Sequence, residues 1–157
     1  MTMTGLVLRI VIDIFIVAGL SVLIGAWAPR WSDSWLERDR GPLCLTPLDT
    51  PRTYRRLRIH VIKDKLPELG SAFGGQSKGQ LPGSEAGQLA LYARELRRAE
   101  WVHWCSMLTW IPLALFNPWW LTLAFAIVVI AGNAPFVLTL RYNRMRVLRI
   151  AGRSADS

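Results

Sequence analysis

WVHWCSMLTWIPLALFNPWWLTLAFAIVVIAGNAPFVLTL, Trp101 to Leu140, holds no Asp, Glu, Lys or Arg in its 40 residues, and His103 is its one group that titrates near neutrality. A helix crosses the hydrocarbon of a bilayer with roughly 20 apolar residues, so this block predicts two crossings with a break near the middle. Asn117-Pro118 supplies the break, because proline lacks a backbone donor and disfavours helix in the residue before it. The reading is a helical hairpin: one span over 101–116, a tight turn, and one span over 119–140. Trp119 and Trp120 suit the headgroup level, where aromatic rings with a polar edge concentrate. The first arm is short for a span, and Pro112 is placed to kink it.

Upstream lies a second apolar block, Gly5 to Ala28, which is uncharged from Ile14 onward. Ala26-Trp27-Ala28 has the small-x-small form of a signal-peptidase site. No basic residue precedes Arg9, however, and Pro29 stands just after the cut. These features favour a retained span over a cleaved leader. Asp13 falls inside that span, where carboxylates are costly and are often functional. Arg9, one turn earlier, is its expected partner.

Hydrophobic residues make up 52% of the 157-residue chain, charged residues 19%, and eight are Trp. The apolar residues are concentrated in the two blocks instead of being spread as a soluble core requires. Arg9 is the only Lys or Arg before Pro29, thirteen lie between Pro29 and Glu100, and five follow Leu140. The positive-inside rule then places the middle segment and the C-terminus in the cytoplasm and the N-terminus outside. The net charge of +8 thus has a membrane explanation. Nucleic acid is not an expected partner, since no zinc spacing, helix-turn-helix pattern or RNA-binding aromatic motif is present. Cys44 and Cys105 are not spaced as a metal pair, and no metal site is expected. The predicted fold is a single-domain, all-α membrane protein. It has three transmembrane helices (5–28, 101–116, 119–140), a cytoplasmic segment 29–100 and a basic tail 141–157.

Within the middle segment, Trp27, Trp31 and Trp35 recur every four residues and would form one stripe on an interfacial helix. Gly41–Pro51 holds three prolines and reads as a loop. Tyr54–Ile62 is basic and apolar, as suits the membrane surface. Ser71–Gly83 is Gly-rich but lacks the Walker pattern. Helix resumes over 84–100, with Leu89, Tyr92, Leu96, Ala99 and His103 on one face and Arg94, Arg97 and Arg98 pointing elsewhere. Continued into the next span, this helix sets Glu100 and His103 one turn apart at the cytoplasmic membrane boundary.

Four strings carry a family resemblance. Lys63-Asp64-Lys65-Leu66-Pro67-Glu68-x-Gly70, followed by Phe73, Gly74 and Lys78, is the first. Arg98-Ala99-Glu100-Trp101-Val102-His103-Trp104 is the second. Asn117-Pro118-Trp119-Trp120 with Asn133-x-Pro135, and Arg141-Tyr142-Asn143-Arg144-x-Arg146, follow in order. Together they resemble the glycosyl-4,4'-diaponeurosporenoate acyltransferase family over roughly 54–146, although Ile62 stands where that family often has tryptophan. The resemblance implies a bacterial inner-membrane enzyme of staphyloxanthin-type carotenoid synthesis. It would move a fatty acyl group to a sugar hydroxyl of a lipid-like glycosylated acceptor.

Such a transfer needs a base near the hydroxyl and donors for the developing oxyanion. His103 is the leading candidate base, with Glu100 placed to fix its tautomer. Asp64 is a second candidate. His60 and Asp64 form H-x-x-x-D, one residue shorter than the spacing used by glycerolipid acyltransferases. No bound cofactor is expected. The co-substrate would be acyl-CoA or another acyl thioester, with Lys63, Lys65, Lys78, Arg98, Arg141 and Arg144 as candidate phosphate contacts. The competing reading is a non-catalytic membrane adaptor whose basic middle segment binds anionic lipid or a partner enzyme. The topology is tested by Cys44: an impermeant thiol reagent applied to intact cells should leave it unmodified. Strong labelling without permeabilisation would invert the predicted orientation.

Overall fold

The computed structural model describes residues 2–62 and 86–155, all of whose regular structure is helical. Six α-helices are present among them: α1 (Met3–Trp27), α2 (Asp33–Leu36), α3 (Pro51–Arg56), α4 (Ile59–Ile62), α5 (Ala86–Ser106) and α6 (Trp119–Ala155). Two segments, Met3–Arg30 and Trp119–Gly152, are long and apolar enough to cross a membrane.

The first helix is inside-out by the standard of a soluble protein. Phe15 is 73% exposed and Leu23 64%, whereas Asp13 is fully buried and is the one buried residue of α1. Apolar side chains outward and a carboxylate inward is the arrangement expected where the outer surface meets lipid tails. Asp13 is not paired with Arg9. Its carboxylate Oδ2 accepts a 2.7 Å hydrogen bond from Asn117 Nδ2, which ties the middle of α1 to the turn that precedes α6. An amide from a neighbouring segment satisfies Oδ2 without bringing a cation into the apolar layer, while Asp13 Oδ1 is buried without a hydrogen-bond partner among the described residues.

Residues 101–116 do not form a continuous span. Helix α5 ends at Ser106, a turn follows, and Ile111–Leu115 is a 3-10 helix. Pro112 has no donor for an α-helical bond, and Thr109 Oγ1 donates back to Ser106 O at 2.8 Å, competing with helix continuation. The break expected at Asn117-Pro118 is present, and α6 begins at Trp119. That helix then runs past Leu140 to Ala155 with Pro135 inside it, so most of the expected basic tail is helical.

The main interface is α5 packed antiparallel on α6. Leu89, Tyr92, Ala93 and Leu96 meet Leu140 and Val147 in one buried cluster, with Ala99 against it. This is the apolar face read from the spacing. Arg97 departs from that reading: it is 7% exposed because Asp39 and Leu36 O receive it. A second cluster joins Tyr54 and Ile59 to Met145, seating α3 and α4 on the C-terminal half of α6. Trp27, Trp31 and Trp35 do not share a helix, since α1 ends at Trp27 and Pro29 lies in the 3-10 turn that follows. Trp35 instead packs on Trp101 at 6.2 Å between centroids.

The Asp13–Asn117 contact generates a test. Asn117→Leu leaves a buried carboxylate without its donor and should destabilise the protein by about 1–3 kcal/mol or more. Replacing both partners, Asp13→Leu with Asn117→Leu, should recover most of that loss. Unfolding in detergent measures both. Equal stability of the single and double variants would remove the contact from the account.

Candidate functional site

Two layers of polar residues are stacked along the α5–α6 interface. The lower layer is ionic. Arg144 and Glu100 are both fully buried. Arg144 donates to Glu100 Oε2 from Nη2 at 2.9 Å and from Nε at 3.2 Å. The same guanidinium reaches Asp39 through Nη1 and Leu43 O at 2.5 Å. Arg97 Nε donates to the other oxygen of Asp39 at 2.6 Å. Trp104 Nε1 donates to Glu100 Oε1 at 3.5 Å. Burial pushes the Glu100 carboxyl up, opposed by Arg144 and Arg141.

Arg141, one turn before Arg144 on α6, holds the loop between α2 and α3. It donates to Pro42 O and Cys44 O at 2.7 Å each and to Asp49 Oδ2 at 3.0 Å. Asp49 also accepts from Tyr54 Oη and from Thr46 N and Oγ1 at 2.6 and 2.8 Å. Burial alone would raise the Asp49 carboxyl, but the bonds from Tyr54, Thr46 and Arg141 outweigh it and lower it to about 2. Burial, together with Asp49, drives the Tyr54 phenol above its ordinary value.

The upper layer is His103. Its Nδ1 lies 2.9 Å from Asn133 Oδ1, and its ring stacks on Phe136 at 4.6 Å and 12°. Asn133 Nδ2 donates to Val129 O at 2.9 Å, which directs the amide oxygen toward the imidazole. An oxygen acceptor at that position places the proton on Nδ1. The lone pair of the neutral ring is then on Nε2, the nitrogen suited to accept a proton.

Several expected roles change as a result. Glu100 does not orient His103, because its carboxylate is engaged by Arg144, Arg141 and Trp104. Asn133 holds the imidazole instead. An asparagine in a charge-free apolar span was the available signal, since polar groups there seek partners. Arg98 pairs with Asp33 and Glu95, and Arg141 and Arg144 are engaged as described, so these three brace the fold. Lys63, Asp64, Lys65 and Lys78 lie outside the described residues. Around the turn before α6, Trp110, Asn117, Trp119 and Thr122 line an open groove of ≈ 410 Å³.

The sequence profile of the glycosyl-4,4'-diaponeurosporenoate acyltransferase family matches residues 32–153. The chain belongs to this family. That match takes in both polar layers, from Asp39 in the loop after α2 to Arg144 on α6. A glycosyl-4,4'-diaponeurosporenoate acyltransferase of Staphylococcus haemolyticus (strain JCSC1435) is 33% identical over 93 residues, covering 57% of this chain and 53% of the relative. The chain thus spans about half the length of the curated relative it matches. No solved structure matches it.

The clamp on Asp49 has a pH signature. A carboxylate whose folded pKa is lowered from 3.8 to about 2 contributes stability that is fully present above about pH 4. That stability is lost as the pH falls toward 2. Asp49→Asn should therefore reduce stability at neutral pH and flatten its decline between about pH 4 and 2 relative to wild type. Parallel acid-unfolding curves for the two proteins would show that Asp49 carries no such linkage.

Proposed function

We propose that this family member is a membrane-boundary acyltransferase that moves a fatty acyl group from a thioester donor to a sugar hydroxyl of a glycosylated carotenoid or related glycolipid. Family membership supports the reaction class, and the geometry of His103 supports its base. The imidazole stands between the apolar part of α6 and the ionic layer below it. A glycolipid anchored by an apolar tail would present its sugar at such a depth. The cell membrane of a bacterium, with the ionic layer on the cytoplasmic side, is the compartment this reading implies.

In this scheme the sugar hydroxyl gives its proton to His103 Nε2 as its oxygen attacks the acyl carbonyl carbon. The carbon–oxygen bond forms, a tetrahedral oxyanion develops, and its collapse breaks the carbon–sulfur bond. The thiolate leaves and recovers the proton from the imidazolium, so an ester and a thiol are the products. Asn133 holds Nδ1–H throughout and Phe136 keeps the ring in plane. Glu100, Arg141 and Arg144 act as positioning residues that fix α5 on α6. Asp64 is the second candidate base, and Lys63, Lys65 and Lys78 are assigned to the donor's phosphates on the family resemblance alone.

General-base catalysis is typically worth about 10²–10⁴-fold. His103→Ala should reduce acyl transfer by that order while the protein remains folded in the membrane. His103→Gln keeps a hydrogen bond but cannot take the proton, and should be almost as damaging. Acylated and unacylated glycolipid, quantified by mass spectrometry in cells carrying each variant, is the readout. Near-full acylation by His103→Gln would withdraw the catalytic assignment.

A further inference from the structure

Nine of the arginines form two contrasting groups. Arg94, Arg97, Arg98, Arg141 and Arg144 are all ion-paired with Asp33, Asp39, Asp49, Glu95 or Glu100. Arg52, Arg55, Arg56 and Arg149 line a single open cleft of ≈ 720 Å³ together with Thr50 and Thr53. Among the described residues, none of these four guanidiniums makes an ion pair or a side-chain hydrogen bond.

That convergence is produced by tertiary packing. Three of the arginines lie on α3, the fourth lies near the end of α6, and the cluster of Tyr54 with Met145 brings the two elements together. Asp49, two residues before α3 in sequence, is already engaged by Arg141, Tyr54 and Thr46. Topology alone calls for positive charge on the cytoplasmic side, but it does not call for cations from two helices facing one cavity. Like charges held around a cleft repel one another, and a bound anion would offset that cost. Guanidinium groups present forked donors that match phosphate oxygens. The cleft is also larger than one phosphate ion needs and falls in the size range of ligand pockets.

We propose that this cleft is a binding site for a phosphate-bearing ligand, supplied either by a soluble phosphorylated co-substrate or by the phosphate of a membrane lipid. The site is separate from His103 and from every residue assigned a role in acyl transfer above. The binding does not depend on the acyltransferase reading.

The test uses the full chain purified in neutral detergent, with two probes in separate titrations. One is coenzyme A. The other is short-chain phosphatidylglycerol, compared with phosphatidylcholine of the same chain length. Arg55→Gln with Arg149→Gln is the cleft variant. Arg30→Gln with Arg40→Gln removes equal charge from arginines that lie over Trp27 and Trp35 and serves as the control. Wild type should bind at least one phosphate probe, the cleft variant should lose about tenfold or more in affinity, and the control should stay near wild type. Binding of coenzyme A alone identifies a soluble co-substrate, and selective binding of phosphatidylglycerol identifies a lipid. Helical content and thermal midpoint of each variant establish that it is folded, which the exposure of these side chains favours. Failure of wild type to bind either probe would overturn the proposal, as would equal weakening in the cleft variant and the control. His103→Gln should leave this binding unchanged, so failure of the acyl-transfer reading is distinguishable from failure of this one.

Discussion

Glu100 and Arg144 meet where neither side chain has any exposure to solvent, and the rest of the structure is arranged around that constraint. Taking two ions out of water costs several kcal/mol each, and their mutual attraction offsets this only with good geometry and additional hydrogen bonds. Arg144 therefore also engages Asp39 and Leu43 O, and Glu100 also receives Trp104 and Arg141. Such a pair adds little net stability compared with a well-packed apolar substitute. Its effect is on register. Sliding α5 by one turn along α6 would strand both charges, and breaking a buried pair costs about 3–5 kcal/mol.

Register at the ionic layer determines geometry in the layer above it. His103 is one turn beyond Glu100 on α5, and its contacts, Asn133 and Phe136, lie on the part of α6 that precedes Arg141 and Arg144. The antiparallel pairing that joins Glu100 to Arg144 thus carries the imidazole to the amide that fixes its tautomer. The loop between α2 and α3 is held by the same arginines, through Asp39, Leu43 O, Pro42 O, Cys44 O and Asp49. Loop, helix pair and histidine therefore form one connected unit, although neither Glu100 nor Arg144 touches His103 in the contacts described.

Features that depend on local chemistry were legible in the sequence. Charge-free blocks locate α1 and the first half of α6, Pro118 marks the turn, and three- and four-residue spacing identifies the face of α5 carrying Leu89, Tyr92 and Leu96. Features that depend on partners were not. The span over 101–116 satisfied an apolarity count, but Pro112 and the Thr109–Ser106 bond place a turn and a 3-10 helix there. Trp27, Trp31 and Trp35 matched a helical stripe that the turn around Pro29 interrupts. Asp13 was expected to pair with its nearest cation in sequence, yet its partner is 104 residues away. The tryptophan stripe fails because spacing predicts contact only within one unbroken helix, the span because apolarity does not ensure helix, and the Asp13 pairing because a partner distant in sequence takes the place of a near one.

The arginines show the same limit in its sharpest form. In a count of basic residues, Arg56 and Arg144 are equivalent, and both support a cytoplasmic middle segment and C-terminus. In the fold they are opposites. Arg144 is neutralised and buried by Glu100 and Asp39, whereas Arg56 faces an open cleft beside three other cations. The positive potential available to a ligand is what remains after internal pairing, and pairing removes it at Arg94, Arg97 and Arg98 on α5 and at Arg141 and Arg144 on α6. It remains where α3 meets the end of α6. Anion recognition is therefore better sought among the arginines that the fold leaves unpaired than among Arg98, Arg141 and Arg144, whose charges already hold the structure together.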